Sequence, residues 1–290
     1  MKRMKLVLVG NGMAGVRTLE ELLKIAPDLY DITVFGAEPH PNYNRILLSP
    51  VLAGEQTIDE IVLNPLSWYA EHGIRLQLGC KVTRLDRVKR LVHGQDGSVA
   101  SYDRLLLATG SSPFILPVPG KDLAGVVAYR DIADTEAMIA AATQYQHAVV
   151  IGGGLLGLEA ANGLMQRGMQ VTVVHLMPWL MERQLDDVAG GLLRQSLESR
   201  GIRFEISASV CAPISKAMPR CSSERCSSRP ATSSSWRSIS HGMMCTTVTC
   251  MPRTASPLAA SRPSRPPPIT TACRCLVAAA IIACVSWMSR

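Results

Sequence analysis

One glycine spacing, G-x-G-x-x-G, occurs twice in this 290-residue chain, about 140 residues apart, each time between an apolar run and a helical pattern. The first copy is Gly10, Gly12 and Gly15 in "KLVLVGNGMAGVRTLEELLKI". Leu6 to Val9 form an unbroken apolar run that suits a strand buried on both faces of a parallel sheet. Val16, Leu19, Leu22 and Leu23 then repeat at helical spacing, and Ile32 to Phe35 supply the next strand. In a strand–turn–helix unit the first glycine permits the tight turn, the second lets a pyrophosphate approach the backbone, and the third lets helix and strand pack closely. The phosphates would lie on free amides at the helix N-terminus, where the helix dipole favours negative charge. Glu38, just past the second strand, is placed to accept hydrogen bonds from a ribose. A turn that serves only packing is the plainer alternative, and the strand, helix and acid around these glycines argue against it.

The second copy, Gly152, Gly154 and Gly157 in "HAVVIGGGLLGLEAANGLM", has its own strand, helix and following strand, Val171 to Val174. Two such fingerprints in one chain imply two dinucleotides and a transfer of reducing equivalents between them. His175 ends the second unit's strand, where an acid would select NADH and an arginine NADPH, so the choice of cofactor stays open. A surface histidine at a strand end is the alternative. Glu159 follows the last glycine and is expected to face the nucleotide crevice; an ordinary early-helix acid is the alternative. Between the copies, alternating stretches around a turn at Gln95 to Gly97 suggest a small antiparallel excursion, which returns through Leu105 to Leu107 into Thr109 and Gly110. Pro113, Pro117 and Pro119 mark residues 111–120 as a linker. The expected fold class is α/β with two Rossmann-like domains, both incomplete, one over 1–119 and the other over 120–209.

The net charge of +7 would suggest an anionic partner, but it is unevenly spread. Residues 211–290 carry ten Lys and Arg against the single acid Glu224, whereas residues 1–210 are slightly acidic. Eight of the nine cysteines also lie past residue 210, and no pair has the C-x-x-C spacing of a zinc or redox site, so no metal is expected. The apolar run after the basic start, "MKRMKLVLVG", is too short for a signal-peptide core, and "LVAAAIIACV" is too short to span a membrane. A cytoplasmic protein with reduced thiols is the expectation, with no membrane partner.

The order GNGMAG, "ATGSSP", GGGLLGLE resembles the two-dinucleotide flavoprotein reductases of the glutathione-reductase structural class. Within it, "GAEPHPNYNRILLSPVLAGE" and "LMPWLMERQLDDVAGGLLRQSLESRGI" resemble the N-terminal flavoprotein part of the assimilatory NAD(P)H nitrite reductase large-subunit family, from about residue 4 to 209. The resemblance implies that Gly10, Gly12, Gly15 and Glu38 hold FAD, with Arg45 against the flavin nucleotide and Thr109 and Gly110 in a segment passing it. Gly152, Gly154, Gly157, Glu159 and His175 would line the NAD(P)H site. It implies hydride transfer from NAD(P)H to FAD and release of electrons to a downstream acceptor. In the full-length family that acceptor is a set of siroheme and iron–sulfur centres that reduce nitrite to ammonia, and nothing in this chain is suited to bind them. A ferredoxin or rubredoxin reductase-like enzyme is the alternative within the class, although Pro50 stands where those relatives usually carry lysine.

Flavoproteins of this class close the FAD site with a late Gly-Asp segment, but after residue 209 this chain has no Asp and a single glycine, Gly242. Residues 210–290 are therefore expected to form a basic, low-complexity tail that does not fold. A nucleic-acid arm would need more stacking aromatics than Trp236 and Trp287. A disordered linker fits the Ser and Pro content, although such linkers rarely carry eight cysteines. Translation of a GC-rich gene in a shifted frame accounts for the Arg, Pro, Ser, Ala and Cys content. The competing function is a non-catalytic nucleotide-binding fragment with a basic tail.

Overall fold

The computed structural model describes residues 3–208 in full and, beyond them, the backbone of two strands, 243–252 and 282–286. The chain divides into two compact units, one built from residues up to Leu48 and from Gln56–Ser111, the other from Ser49–Glu55 and from Ser112 onward. The division falls inside the proline-bearing stretch 111–120; the contribution of Ser49–Glu55 to the second unit has no counterpart in the sequence reading.

The first unit begins with β1 (Met4–Val9), α1 (Met13–Ile25), β2 (Tyr30–Phe35) and the two-residue β3 (Asn42–Tyr43). After the short helix α2 (Leu48–Ala53) come β4 (Val62–Asn64), α3 (Leu66–Glu71), β5 (Arg75–Gln77), β6 (Val82–Asp86), β7 (Leu91–Gly94), β8 (Val99–Ser101) and β9 (Arg104–Leu107). The main sheet has the order β5-β2-β1-β9 and is parallel throughout. Successive side chains of β1 point to opposite faces, and both faces are apolar because both are covered. Leu6 and Leu8 join Leu19, Ile32, Val34, Tyr69 and Ile74 on one side, whereas Val7 and Val9 join Phe35, Cys80 and Val92 on the other. Each such side chain contributes about 1.5–3 kcal/mol on burial, so β1 is the pillar that fixes where its C-terminal end, and hence the first glycine turn, must lie. The antiparallel excursion expected between the glycine copies is the meander β6-β7-β8.

The second unit contains β10 (Val126–Val127), α4 (Ile132–Gln144), β11 (Tyr145–Ile151), α5 (Leu155–Gln166), β12 (Gln170–His175), α6 (Asp187–Ser199) and β13 (Arg203–Ile206). The side chains of Asp131 and Asp186 accept hydrogen bonds from the amides of Asp134 and Ala189, so α4 and α6 each start on an N-cap. Strands β11, β12 and β13 run parallel. On the other side of β11 lies β14 (Met243–Pro252), antiparallel to it, followed by β10, and β15 (Ile282–Ser286) pairs with β14. The expectation of an unfolded tail over 210–290 lies outside the described residues except at these two segments, which are strands. Thr246, Thr247, Val248 and Thr249 give β14 the β-branched content that favours extended backbone. Among the described residues no helix is long and apolar enough to cross a membrane.

Candidate dinucleotide sites

The two glycine turns, different in sequence outside their glycines, have the same backbone. Gly10 sits at φ +110° and Gly152 at φ +118°, in the region that L side chains avoid. Their amides donate to the strand alongside, Gly10 to Phe35 O and Gly152 to Val174 O, both at 2.8 Å. Gly12 and Gly154 then cap the helices at φ −85°, ψ 174° and φ −84°, ψ 178°, neither with a side chain to bond the first-turn amides. The first intrahelical bonds follow, Val16 N–H to Gly12 O at 3.1 Å and Leu158 N–H to Gly154 O at 3.0 Å. Each turn therefore presents uncapped helix N-terminal amides at the carboxyl end of its sheet, where α/β folds bind anionic ligands.

In the first turn each glycine has a separable steric reason. A Cβ on Gly10 would lie 2.1 Å from the Ala108 carbonyl oxygen, and one on Gly15 would lie 2.7 Å from Gly10 O and 3.0 Å from the Ala108 Cβ. These two residues serve the close approach of chain to chain. A Cβ on Gly12 would meet nothing within 4 Å, so its missing side chain leaves space open rather than relieving a contact. That open space beside uncapped amides offers the room and the donors that a pyrophosphate requires. Thr109 and Gly110 follow β9 directly; the Thr109 amide lies 3.1 Å from the Cβ position of Gly10, and Gly110 has φ +72°. Both are exposed beside the turn.

Glu38 and Arg45, expected to serve different parts of one ligand, meet as an ion pair. Arg45 Nη2 donates to Glu38 Oε1 at 2.5 Å, and the Tyr43 hydroxyl donates to Oε2 at 2.6 Å. The guanidinium also lies 5.2 Å from the centre of the Tyr43 ring, within cation–π range. Tyr43 was not singled out from the sequence, although the three residues from Tyr43 to Arg45 put phenol and guanidinium on one short segment. Asn11, between the first two glycines, was also passed over. Its Oδ1 accepts from Tyr69 O–H at 2.8 Å and its Nδ2 donates to His40 O at 3.4 Å. Burial pushes the Tyr69 phenol up to about 12, so it remains a donor across the physiological range.

In the second unit Glu159 lies on α5 with its Oε2 2.5 Å from Ser49 Oγ, which is 2.9 Å from the Tyr129 hydroxyl. A serine carries one hydroxyl hydrogen, and an ionised carboxylate can only accept. The order is therefore Tyr129 O–H to Ser49 Oγ, and Ser49 O–H to Glu159. Tyr129 is buried, which drives its phenol upward and keeps the donor in place. The same face of α5 takes up the rest of α2: Arg167 donates to the carbonyls of Val51, at 3.0 Å, and Leu52, and a Cβ on Gly163 would fall 2.8 Å from Leu52 Cγ. Ser49 and Tyr129 lie 110 and 30 positions from Glu159, and no local pattern links them.

His175 is buried, unlike the surface histidine weighed as the alternative. Its Nδ1 accepts from Gly153 N–H at 3.0 Å, and its Nε2 lies 3.0 Å from Trp179 O and 3.2 Å from Glu182 Oε2. The hydrogen bond from His175 holds the Glu182 carboxyl below its usual range. Both ring nitrogens are thus engaged within the protein. Among the described residues no cluster of three His, Cys, Asp or Glu side chains could hold a metal ion.

Comparison with known proteins gives a consistent picture. The sequence pattern of the pyridine nucleotide-disulphide oxidoreductase family matches residues 4–220. Nitrite reductase [NAD(P)H] of Bacillus subtilis (strain 168) is 57% identical over 204 residues, 70% of this chain and 25% of that protein. The assimilatory nitrate reductase electron transfer subunit of the same organism is 50% identical over 204 residues, 70% of this chain and 26% of that protein. Among solved structures, the covalent putidaredoxin reductase–putidaredoxin complex superposes with a TM-score of 0.68 at 28% identity, covering 74% of this chain and 52% of that one. The chain spans about a quarter of the length of the two curated relatives.

Proposed function

Because the chain belongs to the pyridine nucleotide-disulphide oxidoreductase family, we propose that it binds FAD at the first glycine turn and NAD(P)H at the second, and carries reducing equivalents between them. The observation that carries this reading is the identity of the two turns, one per unit, each with a positive-φ glycine, an uncapped helix N-terminus and the same strand-to-turn hydrogen bond. FAD, when bound, accepts a hydride from NAD(P)H and releases its electrons singly.

In this reading Gly10 and Gly15 shape the first turn, Gly12 admits the pyrophosphate, and the Glu38–Arg45 pair opens to hold ribose and phosphate oxygens. Thr109 and Gly110 border the same ligand. Gly152, Gly154 and Gly157 shape the second turn, and Glu159, held by Ser49, offers a carboxylate oxygen to a hydrogen-bond donor of the reduced dinucleotide. The similarity to nitrite reductases supports an assimilatory role in the cytoplasm, with electrons leaving for siroheme and iron–sulfur centres outside this chain.

The test is the colour of the purified full-length chain. Yellow protein, or protein that turns yellow with added FAD and is bleached anaerobically by NADH or NADPH, supports the reductase. Protein that binds a nucleotide but shows no bleaching of flavin by NADH or NADPH leaves the non-catalytic nucleotide-binding fragment, and protein that takes up neither nucleotide refutes both readings. The content of residues 210–290, which hold no Asp and a single glycine, is the specific observation favouring that second reading.

A further inference from the structure

The two turns solve one steric problem in opposite ways. Phe35 and Val174 are equivalent, since each accepts from the first glycine amide of its turn. Gly36 therefore corresponds to His175, and Asn11, between the first two glycines, corresponds to Gly153. In the first unit the side chain is on the turn: a Cβ on Gly36 would lie 3.0 Å from the Asn11 Cβ. In the second unit the side chain is on the strand: a Cβ on Gly153 would lie 2.8 Å from His175 Cγ and 2.7 Å from Leu180 Cδ2. Each pair carries one side chain opposite a glycine, tightly at Gly36 and with no room for a second at Gly153, and the two units place the side chain on different members.

The histidine also bonds what it packs against. Gly153 N–H donates to Nδ1, so Nδ1 carries no hydrogen and Nε2 carries the hydrogen that Trp179 O and Glu182 share. The Gly153 carbonyl is taken as well, by Met181 N–H at 3.0 Å. The segment after β12 thus clamps both peptide groups of the turn's central residue, with the imidazole as one jaw.

We propose that His175 is a positioning residue for the second glycine turn, which acts on a bound dinucleotide by fixing Gly153 and makes no bond of its own to the ribose. The proposal rests on the reading that this turn binds NAD(P)H. It accounts for a histidine at a position where neither a carboxylate nor a guanidinium stands to distinguish NADH from NADPH: with both nitrogens occupied, the ring has none left for the 2′ position.

The full-length chain and three variants, His175→Ala, His175→Asn and Gly153→Ala, decide the matter, with dissociation constants for NADH and NADPH taken from quenching of protein fluorescence. His175→Ala should weaken both dinucleotides by the same factor, about tenfold, and His175→Asn, which keeps an acceptor near the Nδ1 position, should stay within about threefold of the parent. Gly153→Ala should match or exceed the loss in His175→Ala. A change in the NADH-to-NADPH ratio in His175→Ala would mean that the ring contacts the ribose, and unchanged affinity for both would mean that it does nothing for binding; either result overturns the proposal. If the parent chain binds neither dinucleotide, the proposed function fails at this turn. The positioning role is then decided separately by long-range 1H–15N NMR of the parent, which should show Nδ1 unprotonated, and by faster exchange of the Gly153 amide in His175→Ala. A protonated Nδ1 or unchanged exchange refutes it.

Discussion

Alanine at Gly12 should weaken flavin binding at least about 100-fold while leaving the fold intact, and alanine at Gly10 should destabilise the fold. Gly12 has an extended backbone open to any L residue, and its Cβ would meet nothing within 4 Å. The substitution stabilises by about 0.4–1 kcal/mol through the unfolded chain, and exchanging glycine for alanine at an N-cap offsets some or all of that. The net change lies within about 0.5 kcal/mol of zero. At Gly10 the new Cβ would sit 2.1 Å from the Ala108 carbonyl oxygen, at φ +110°. Backbone strain of about 1–3 kcal/mol and overpacking of a similar size sum to about 2–6 kcal/mol. At about 2–4 °C per kcal/mol for a folded region of this size, Gly10→Ala should melt at least about 4 °C below the parent and Gly12→Ala within about 2 °C of it. Thermal unfolding by circular dichroism gives the first quantity, and titration with FAD gives the second. Gly12→Ala should bind FAD at least about 100-fold more weakly, equivalent to about 2.8 kcal/mol, because the methyl takes the volume that the pyrophosphate requires. Parental affinity in Gly12→Ala would refute the placement of the pyrophosphate, and a melting temperature several degrees low would show that the folded chain itself fills that space.

The remaining predictions concern the supports of the two sites. Tyr69 should titrate late: its phenol is raised by burial to about 12, so the stability it contributes is fully present below the ordinary tyrosine value near 10 and is lost as pH rises through about 12. Tyrosinate absorbance followed against pH should show two tyrosines, Tyr69 and Tyr129, ionising only with alkaline unfolding, and ionisation of Tyr69 near 10 in folded protein would contradict this. Ser49→Ala should cost about 1–3 kcal/mol, since it strips the buried Tyr129 hydroxyl of its acceptor, and Tyr129→Phe should cost less because the Ser49–Glu159 bond survives. Denaturant unfolding of both variants and the double variant tests the order, and additive losses would show that the three groups are not coupled. The nucleotide sequence past codon 209, read in its other two frames, should restore an alternating strand pattern and a Gly-Asp pair; if neither frame does, the shifted-frame account fails.

What could be read from the sequence was whatever depends on residues close together in the chain. The glycines, the strands before them and the helices after them are local, so both turns and the parallel sheet around β1 follow from spacing alone. Glu38 and Arg45 were both expected at the site, but their pairing was not, because it depends on where two side chains point on either side of the short strand Asn42–Tyr43. Ser49 is not legible as a site residue in the sequence because its partner Glu159 lies 110 positions away. His175 was noticed for its position at a strand end, yet nothing local reveals that its ring turns inward, since that depends on Gly153 leaving room for it.

The exchange of side chain and glycine between the two turns bears on how each site tolerates change. In the first unit the filling group is a neutral amide on the turn itself, bonded to His40 O and Tyr69 O–H. In the second it is an imidazole borne by the neighbouring strand, tied through Nε2 to the segment Trp179–Glu182. Displacing that segment therefore disturbs the second turn directly, whereas the first turn keeps its support within α3 and the loop after β2. The sheets differ in the same direction. β1 has parallel neighbours on both sides, β2 and β9, and Ala108 at the end of β9 buttresses Gly10 and Gly15. β11 has a parallel neighbour only in β12, and the strand on its other side, β14, runs antiparallel. Among the described residues, the side chain that supports the second turn is His175, held in turn by the segment Trp179–Glu182. Progressive denaturant should accordingly release a bound reduced dinucleotide before FAD, and simultaneous release of both would show that the two turns draw on a common support.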